Sequence, residues 1–244
     1  MYGIIIEAMT KNKKRVCVVI PAYNEGEVIR SVIRQSLAAF SKSNYEADII
    51  VVNDGSKDNT ALEATKGGAL VIDHILNSGA GSATATGLSY SSQNDYIAAA
   101  TMDADGQHNP KDVIKGFDKL FQGNQDLLIG SRLIDSRGMS KVKVLGNRGL
   151  SFITRILFGI NVTDSQSGLR IFGPQALKKL RWTTSGYEFC SEMLWRANQL
   201  GLIVGEFPIK AIYTDYSKQK GQSNWNAINI VKSLVKHRFT ELFE

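Results

Sequence analysis

Short apolar runs alternate with segments of helical periodicity along the first half of the chain. The apolar runs predict strands at residues 16–20, 48–52, 70–72, 96–102 and 127–129. Between them, apolar residues recur at helical spacing over residues 25–40, 80–91 and 111–121, and Asn109-Pro110 is typical of a helix start. This alternation predicts an α/β domain with a mostly parallel central sheet and helices on both faces.

The second half changes pattern. A basic amphipathic helix begins near Lys141, and a polar loop at 163–168, a helix at 187–200 and a strand-like segment at 206–213 follow. We therefore expect an N-terminal extension at residues 1–15 and one domain at 16–224.

Residues 225–244 form a separate C-terminal amphipathic helix in this prediction. Ile228, Val231 and Leu234 recur at helical spacing, with Lys232 and Lys236 on other faces. Packing against the domain's own sheet and peripheral contact with a membrane both suit such a helix.

Composition places the chain among ordinary globular proteins. It has 244 residues, of which 43% are hydrophobic and 21% charged, so disordered and fibrous classes are excluded. The net charge of +6 favours anionic ligands such as nucleotides, phosphates, acidic lipid or nucleic acid. Cys17 and Cys190 lack metal-type spacing and predict buried free thiols in a reducing compartment. Because no apolar run is long enough to span a bilayer, we expect a cytoplasmic protein.

Polar and acidic residues follow three of the predicted strands. They are Pro-Ala-Tyr-Asn-Glu at 21–25, Asn-Asp-Gly-Ser at 53–56 and Asp-Ala-Asp-Gly-Gln-His at 103–108. Ligands of open parallel sheets bind beyond the carboxyl ends of the strands, so these groups are expected at one edge.

Asp103 and Asp105 are two residues apart on a chain leaving a strand, so both carboxylates can face one ligand. Two carboxylates at such a short distance repel each other unless a cation lies beside them. Oxygen ligands of this kind favour Mg²⁺ or Mn²⁺. Gln107 offers a further oxygen. For an isolated Asp-x-Asp, a turn acid and a helix cap ahead of Pro110 are the simpler interpretation.

The combination of motifs resembles the inverting nucleotide-sugar glycosyltransferases of family 2, which have the glycosyltransferase-A fold. The dolichyl- or polyprenyl-phosphate sugar synthases are the most similar branch, because three further motifs occur in the same order. These are Gly-Ser-Arg at 130–132, Asp-Ser-Gln-Ser-Gly-Leu-Arg at 164–170 and Lys-Gly-Gln-Ser at 220–223.

The resemblance implies roles for individual residues. The donor nucleotide site comprises Pro21, Ala22, Tyr23, Glu25, Asp54 and Asp103, and the metal ligands are Asp105, Gln107 and Asp103. Arg132 and Arg148 bind phosphate groups, with Ser151 beside Arg148 at the acceptor phosphate, and Lys220 and Ser223 belong to a closing loop. Asp164 neighbours the reacting sugar, so it joins Arg132 and Arg148 as a catalytic candidate.

Some assignments stay open at this point. Glu188 and Glu192, at i and i+4 of one helix, are alternative base or sugar-orienting candidates. The segment 78–82 either offers backbone N–H groups to phosphate or is an ordinary glycine-rich helix start.

The expected activity is metal-dependent inverting transfer of a hexose from a UDP- or GDP-sugar to a polyprenyl or dolichyl phosphate. Transfer to a growing cell-surface glycan is the first alternative. A sugar nucleotidyltransferase would carry a glycine-rich N-terminal loop with an arginine, and this sequence has no such loop. A non-catalytic nucleotide-sugar-binding protein would not need all the acidic motifs. We expect no nucleic-acid partner and peripheral contact with the cytoplasmic face of a membrane.

Overall fold

The computed structural model describes residues 13–137, 139–213 and 216. The expected closing loop with Lys220 and Ser223 and the helix expected at 225–244 lie outside the described residues, as does most of the extension expected at 1–15. Among the described residues, no helix combines the length and apolarity that crossing a bilayer requires.

One seven-stranded sheet organises the domain, in the order β3-β2-β1-β4-β6-β5-β7. Its strands are β1 (Lys14–Ala22), β2 (Tyr45–Asp54), β3 (Leu70–His74), β4 (Ala98–Thr101), β5 (Leu127–Ser131), β6 (Arg170–Phe172) and β7 (Val204–Pro208). β6 runs antiparallel to β4 and β5, whereas the other neighbours are parallel. The predicted mostly parallel α/β sheet is confirmed.

The described residues form helices α1 (Ile29–Phe40), α2 (Thr60–Gly67), α3 (Ala80–Gln93), α4 (Pro110–Gln122), α5 (Lys141–Phe158), α6 (Pro174–Lys179) and α7 (Phe189–Gln199). The side chain of Asn109 accepts a hydrogen bond from the N–H of Lys111 and caps α4, as the Asn-Pro pair predicts.

Two apolar cores lie on opposite faces of the sheet. Val16, Val18 and Ile20 of β1 pack towards α1 and α4, while Cys17 and Val19 pack towards α3 and α7. Because β1 is covered on both sides, it reads as an uninterrupted apolar run in the sequence. Both cysteines are buried free thiols, as expected.

The first helix is shorter than its apolar periodicity predicts. It begins at Ile29 rather than residue 25, because the N–H groups of Glu25 and Gly26 donate to Thr60 Oγ1 and Asp58 Oδ2, at 2.8 and 3.0 Å. These bonds hold residues 25–28 in a turn. The strand expected at 206–213 is likewise displaced, since β7 ends at Pro208.

Candidate active site

The carboxyl edge of the sheet gathers the three polar motifs behind β1, β2 and β4. The reversed direction of β6 matters here, because its amino end lies at this same edge and brings the 163–169 loop with it. Thr101 at the end of β4 donates its hydroxyl to the carbonyl of Gly168 at 2.8 Å, which ties this loop to the start of the Asp-x-Asp motif.

Asp103 and Asp105 have different surroundings. Asp103 Oδ2 lies 2.9 Å from His108 Nε2, whereas Asp105 accepts hydrogen bonds from both the backbone N–H and the side-chain amide of Gln107. Partial desolvation tends to raise the pKa of Asp103, but His108 and the cationic Arg132 and Arg170 lower it below its usual value. The pKa of Asp105 is raised, because burial and the negative charge of Asp103 both oppose its ionisation.

These residues fit a divalent cation. Two like-charged carboxylates with mutual repulsion form a hard oxygen donor set, and a cation beside them would relieve that repulsion. Gly168 makes room for the Asp103 carboxylate, since a Cβ at this position would clash with both Asp103 oxygens. Among the described residues no group of three or more His, Cys, Asp or Glu side chains could hold a metal, so other oxygens would complete its coordination.

Arg132 and Asp164 form a buried bidentate ion pair. Arg132 Nε and Nη2 donate to the two oxygens of Asp164 at 2.7 and 2.9 Å, and the backbone N–H of Arg132 donates to Oδ2 at 3.1 Å. Burial tends to lower the pKa of Arg132, but Asp164 and the charge of Asp103 raise it above its usual value. Arg132 is therefore a fixed cation close to the Asp-x-Asp carboxylates.

Glu206 and Arg170 hold the 163–169 loop, although neither residue was predicted to have a role in the site. Glu206 of β7 accepts hydrogen bonds from the backbone N–H groups of Thr163 and Asp164, at 2.9 and 3.2 Å, and from the Thr163 hydroxyl. The buried Arg170 donates to the carbonyls of Ser165 and Ser167, at 2.9 Å each. The position of Asp164 thus depends on a carboxylate that is distant in sequence.

Asp54 is 3% exposed, and its carboxylate makes hydrogen bonds within the protein. Its carboxylate accepts hydrogen bonds from the N–H groups of Ser78 and Gly79 at 2.8 Å and lies 2.8 Å from His74 Nδ1. In this structure Asp54 holds the segment before α3. Its contact with the donor's base or ribose stays a prediction.

Three backbone N–H groups of the glycine-rich segment 78–82 already make hydrogen bonds within the protein. Besides the two N–H groups bound by Asp54, the N–H of Gly81 donates to the carbonyl of Ser185 at 2.7 Å. A Cβ on Gly79 would lie 2.4 Å from that carbonyl, so the segment packs backbone against backbone. This arrangement favours the helix-start interpretation over a phosphate cradle.

The two helix glutamates differ sharply. Glu192 is fully buried and accepts hydrogen bonds from the N–H groups of Thr183 and Thr184, at 2.9 and 2.8 Å. Burial tends to raise its pKa, but these hydrogen bonds lower it below the usual value. Glu192 therefore shapes the turn before α7, whereas Glu188 is half-buried at the helix start.

The segment beyond β7 reaches the same edge. Tyr216 donates its hydroxyl to Glu25 Oε2 at 2.7 Å, and the N–H of Ile212 donates to the carbonyl of Gln107 at 3.1 Å. Pro21 and Ala22 are the last residues of β1, and Tyr23, which follows them, is 40% exposed. The segment that leads towards Lys220 is thus fastened to two of the predicted motifs.

A groove of about 240 Å³ lies between α5 and residues 161–163. Arg148, Arg155 and Ser151 supply its polar wall, and Leu133, Phe152 and Val162 supply apolar wall. Ser151 is 5% exposed, and its hydroxyl accepts a hydrogen bond from the N–H of Ser165 at 3.0 Å. The groove therefore adjoins the loop that carries Asp164.

Known proteins share this sequence pattern. The model described as glycosyl transferase family 2 matches residues 17–181. The UDP-N-acetylglucosamine–dolichyl-phosphate N-acetylglucosaminyltransferase of Methanococcus voltae is 40% identical over 230 residues, which cover 85% of this chain and 90% of that protein. The polyprenol monophosphomannose synthase of Mycolicibacterium smegmatis is 28% identical over 241 residues, covering 94% of this chain and 88% of the relative.

A solved structure shares the fold. Glucosyl-3-phosphoglycerate synthase from Mycobacterium tuberculosis, in complex with Mn²⁺, UDP-glucose and phosphoglyceric acid, superposes with a TM-score of 0.66 at 23% identity. The alignment covers 92% of this chain and 80% of that one. At this identity the likeness concerns the architecture alone.

Proposed function

The chain belongs to glycosyl transferase family 2 and is a glycosyltransferase with the glycosyltransferase-A fold, and on this premise we propose that it transfers a sugar from a nucleotide-sugar donor to a polyprenyl phosphate. The observation that carries the choice of acceptor is the groove beside α5. Its two arginines suit a phosphate group, and its apolar wall suits the first isoprene units of a lipid.

The donor would occupy the edge next to Asp103 and Asp105. Asp105, the side-chain oxygen of Gln107 and Asp103 would hold Mg²⁺ or Mn²⁺ there. When bound, such a cation supplies positive charge that stabilises a departing nucleoside diphosphate. The relative from Methanococcus voltae makes a UDP-sugar the first donor to test.

The acceptor phosphate is itself the nucleophile in this proposal. One of its oxygens forms a bond to the anomeric carbon, while the bond from that carbon to the donor diphosphate breaks and its electron pair leaves with the diphosphate. Attack opposite the leaving group inverts the anomeric centre. Because the acceptor oxygen is already anionic, no side chain has to remove a proton.

The ion pair then has an orienting role. Arg132 donates hydrogen bonds to both oxygens of Asp164, so this buried carboxylate fixes the orientation of the guanidinium. Nε and Nη2 make the bonds to Asp164, which leaves Nη1 outside the ion pair. We propose that Arg132 contacts the donor diphosphate and Arg148 the acceptor phosphate, with Ser151 fixing the groove wall.

We further propose that the reaction takes place at the cytoplasmic face of a membrane, where anionic lipid would meet the basic surface around the groove. A neutral glycan acceptor carries no phosphate group for the two arginines of the groove, so a polyprenyl phosphate fits its lining better.

The decisive experiment follows radiolabelled sugar from UDP-N-acetylglucosamine or GDP-mannose into a short-chain polyprenyl phosphate, with Mn²⁺ or with chelator. We expect lipid-linked product from one donor, its loss in chelator, and a rise of about tenfold or more in acceptor KM for Arg148→Ala. Lys66→Ala, on the remote helix α2, serves as the matched control. Equal acceptor kinetics in Arg148→Ala and wild type, or label transferred only to soluble glycan, would refute this acceptor assignment.

A further inference from the structure

Helix α5 exposes four large apolar side chains on its outer face. Val142, Leu145, Phe152 and Ile156 are 72%, 74%, 61% and 65% exposed. Their spacing of three, seven and four residues places them on one face of the helix. The opposite face, with Leu150, Ser151 and Thr154, is buried against the domain.

A basic row borders this apolar face. Lys141, Arg148 and Arg155 follow one another at seven-residue intervals, so they lie nearly above one another along the helix. Between Asp135 and Asp164 the sequence contains no acidic residue. The surface therefore combines exposed hydrocarbon with positive charge, the pattern of helices that lie in the interface of an anionic membrane.

From this arrangement we propose that the outer face of α5 docks the protein on an anionic lipid surface. The groove lined by Arg148, Phe152 and Arg155 opens beside that face, so docking would set its arginines at the depth of the lipid phosphates. The benefit of this placement rests on the proposed lipid acceptor. The docking itself does not require that acceptor.

The positive charge of this face favours an anionic lipid surface over two alternatives, a second copy of the chain and the chain's own residues 217–244. A second copy packed face to face would bring two basic rows together, which is unfavourable. The chain's own residues 217–244 carry Lys218, Lys220, Lys232, Lys236 and Arg238 against Glu241 and Glu244, so they are also basic. An anionic bilayer supplies both the hydrocarbon and the negative charge.

The test measures sedimentation of the full-length protein with phosphatidylcholine vesicles that contain or lack phosphatidylglycerol, without substrates. We expect binding only to the anionic vesicles, and weaker binding in 0.5 M salt, at which the Debye length falls to about 4 Å. Lys141→Gln should weaken binding about fivefold. Its matched control, Lys111→Gln at the exposed start of α4, should not.

The apolar contribution needs its own variant. Leu145→Ser with Ile156→Ser should weaken vesicle binding by about tenfold or more, while Leu62→Ser with Leu200→Ser, two other exposed leucines, should leave it unchanged. Thermal unfolding and light scattering accompany each variant. If this double variant has a lower melting temperature but unchanged vesicle binding, the face packs against residues 217–244. If wild type is a dimer and the double variant is a monomer, the face binds a second copy. Either result overturns the proposal.

Failure of this inference can be told apart from failure of the proposed function. If the protein glycosylates a short-chain polyprenyl phosphate in detergent but wild type does not sediment with anionic vesicles, docking is refuted and the activity stands. If it binds vesicles but transfers no sugar to the lipid phosphate, docking stands and the acceptor assignment falls.

Discussion

Replacing Asp54 by alanine should loosen the segment before α3 even when no nucleotide is present. The carboxylate receives two backbone N–H groups and contacts His74, so one substitution removes three hydrogen bonds from a side chain that is 3% exposed. A residue that only contacted the donor would leave the unliganded protein unchanged.

The expected magnitude follows from these partners. Hydrogen bonds to an ionised group contribute about 1.5–3 kcal/mol each, and water can replace part of this at Ser78, which is exposed. We therefore expect Asp54→Ala to lower the free energy of unfolding by about 2–4 kcal/mol, which is about 5–15 °C in Tm for a domain of this size. Asp54→Asn keeps one acceptor oxygen and should cost about half as much.

The assay is thermal and urea unfolding of the protein without nucleotide or metal. Asp126→Ala is the matched control, because Asp126 accepts one backbone N–H, from Ile203, at a partly exposed position, and its loss should cost about 1 kcal/mol or less. If Asp54→Ala unfolds like wild type and differs only in donor affinity, the carboxylate does not hold the segment and serves the donor alone.

Three further predictions address other residues of the site. Gly168→Ala should raise the Mn²⁺ concentration needed for half-maximal activity about tenfold, because the new Cβ would displace the Asp103 carboxylate. Glu206→Ala should lower kcat about tenfold to a hundredfold with donor KM nearly unchanged, since a loosened 163–164 backbone misplaces the ion pair, and Glu206→Gln should restore most of kcat. Glu192→Gln should be less stable than wild type at neutral pH, but the difference should shrink below about pH 4, because a lowered folded-state pKa gives stability that is complete above the unfolded pKa and lost as pH falls through the folded one.

Each of these has a control and a contrary result. For Gly168 the control is Gly146→Ala, where an added Cβ meets no atom within 4 Å, and an unchanged Mn²⁺ requirement would contradict the crowding argument. For Glu206, a fall in kcat that merely parallels the fraction unfolded would indicate a structural role. For Glu192, the exposed Glu46→Gln is the comparison, and a stability difference independent of pH would show that ionisation of Glu192 is not involved.

The sequence predicted local features well. Five strands and three of the four helices between them were recognisable because each carries its own periodicity, and three motifs could be placed at one edge because they follow strand ends directly. α2 and α6 are short, and β6 has three residues, so none of them offers a periodic signal.

The supports of the site were harder to predict. Glu206 accepts a hydrogen bond from the N–H of Asp164, which is 42 residues away in sequence. Arg170 donates to backbone carbonyl groups, and no sequence pattern indicates such a contact. The motif that ends in His108 did contain a signal, because a histidine after two aspartates can turn back to one of them. Long-range hydrogen bonds of this kind depend on how strands are ordered, which periodicity does not determine.

The reversed strand β6 also constrains how this chain can fold. β4 has β1 on one side and β6 on the other, and β6 lies about seventy residues later, so half of the pairing of β4 must await a distant segment. Contacts of such sequence separation slow folding, and an unpaired apolar strand edge invites association with other chains. During synthesis the edge formed by Ala98–Thr101 stays open until Phe172 has left the ribosome. The strand that brings the 163–169 loop to the catalytic edge therefore also covers an apolar strand edge that stays open in the nascent protein.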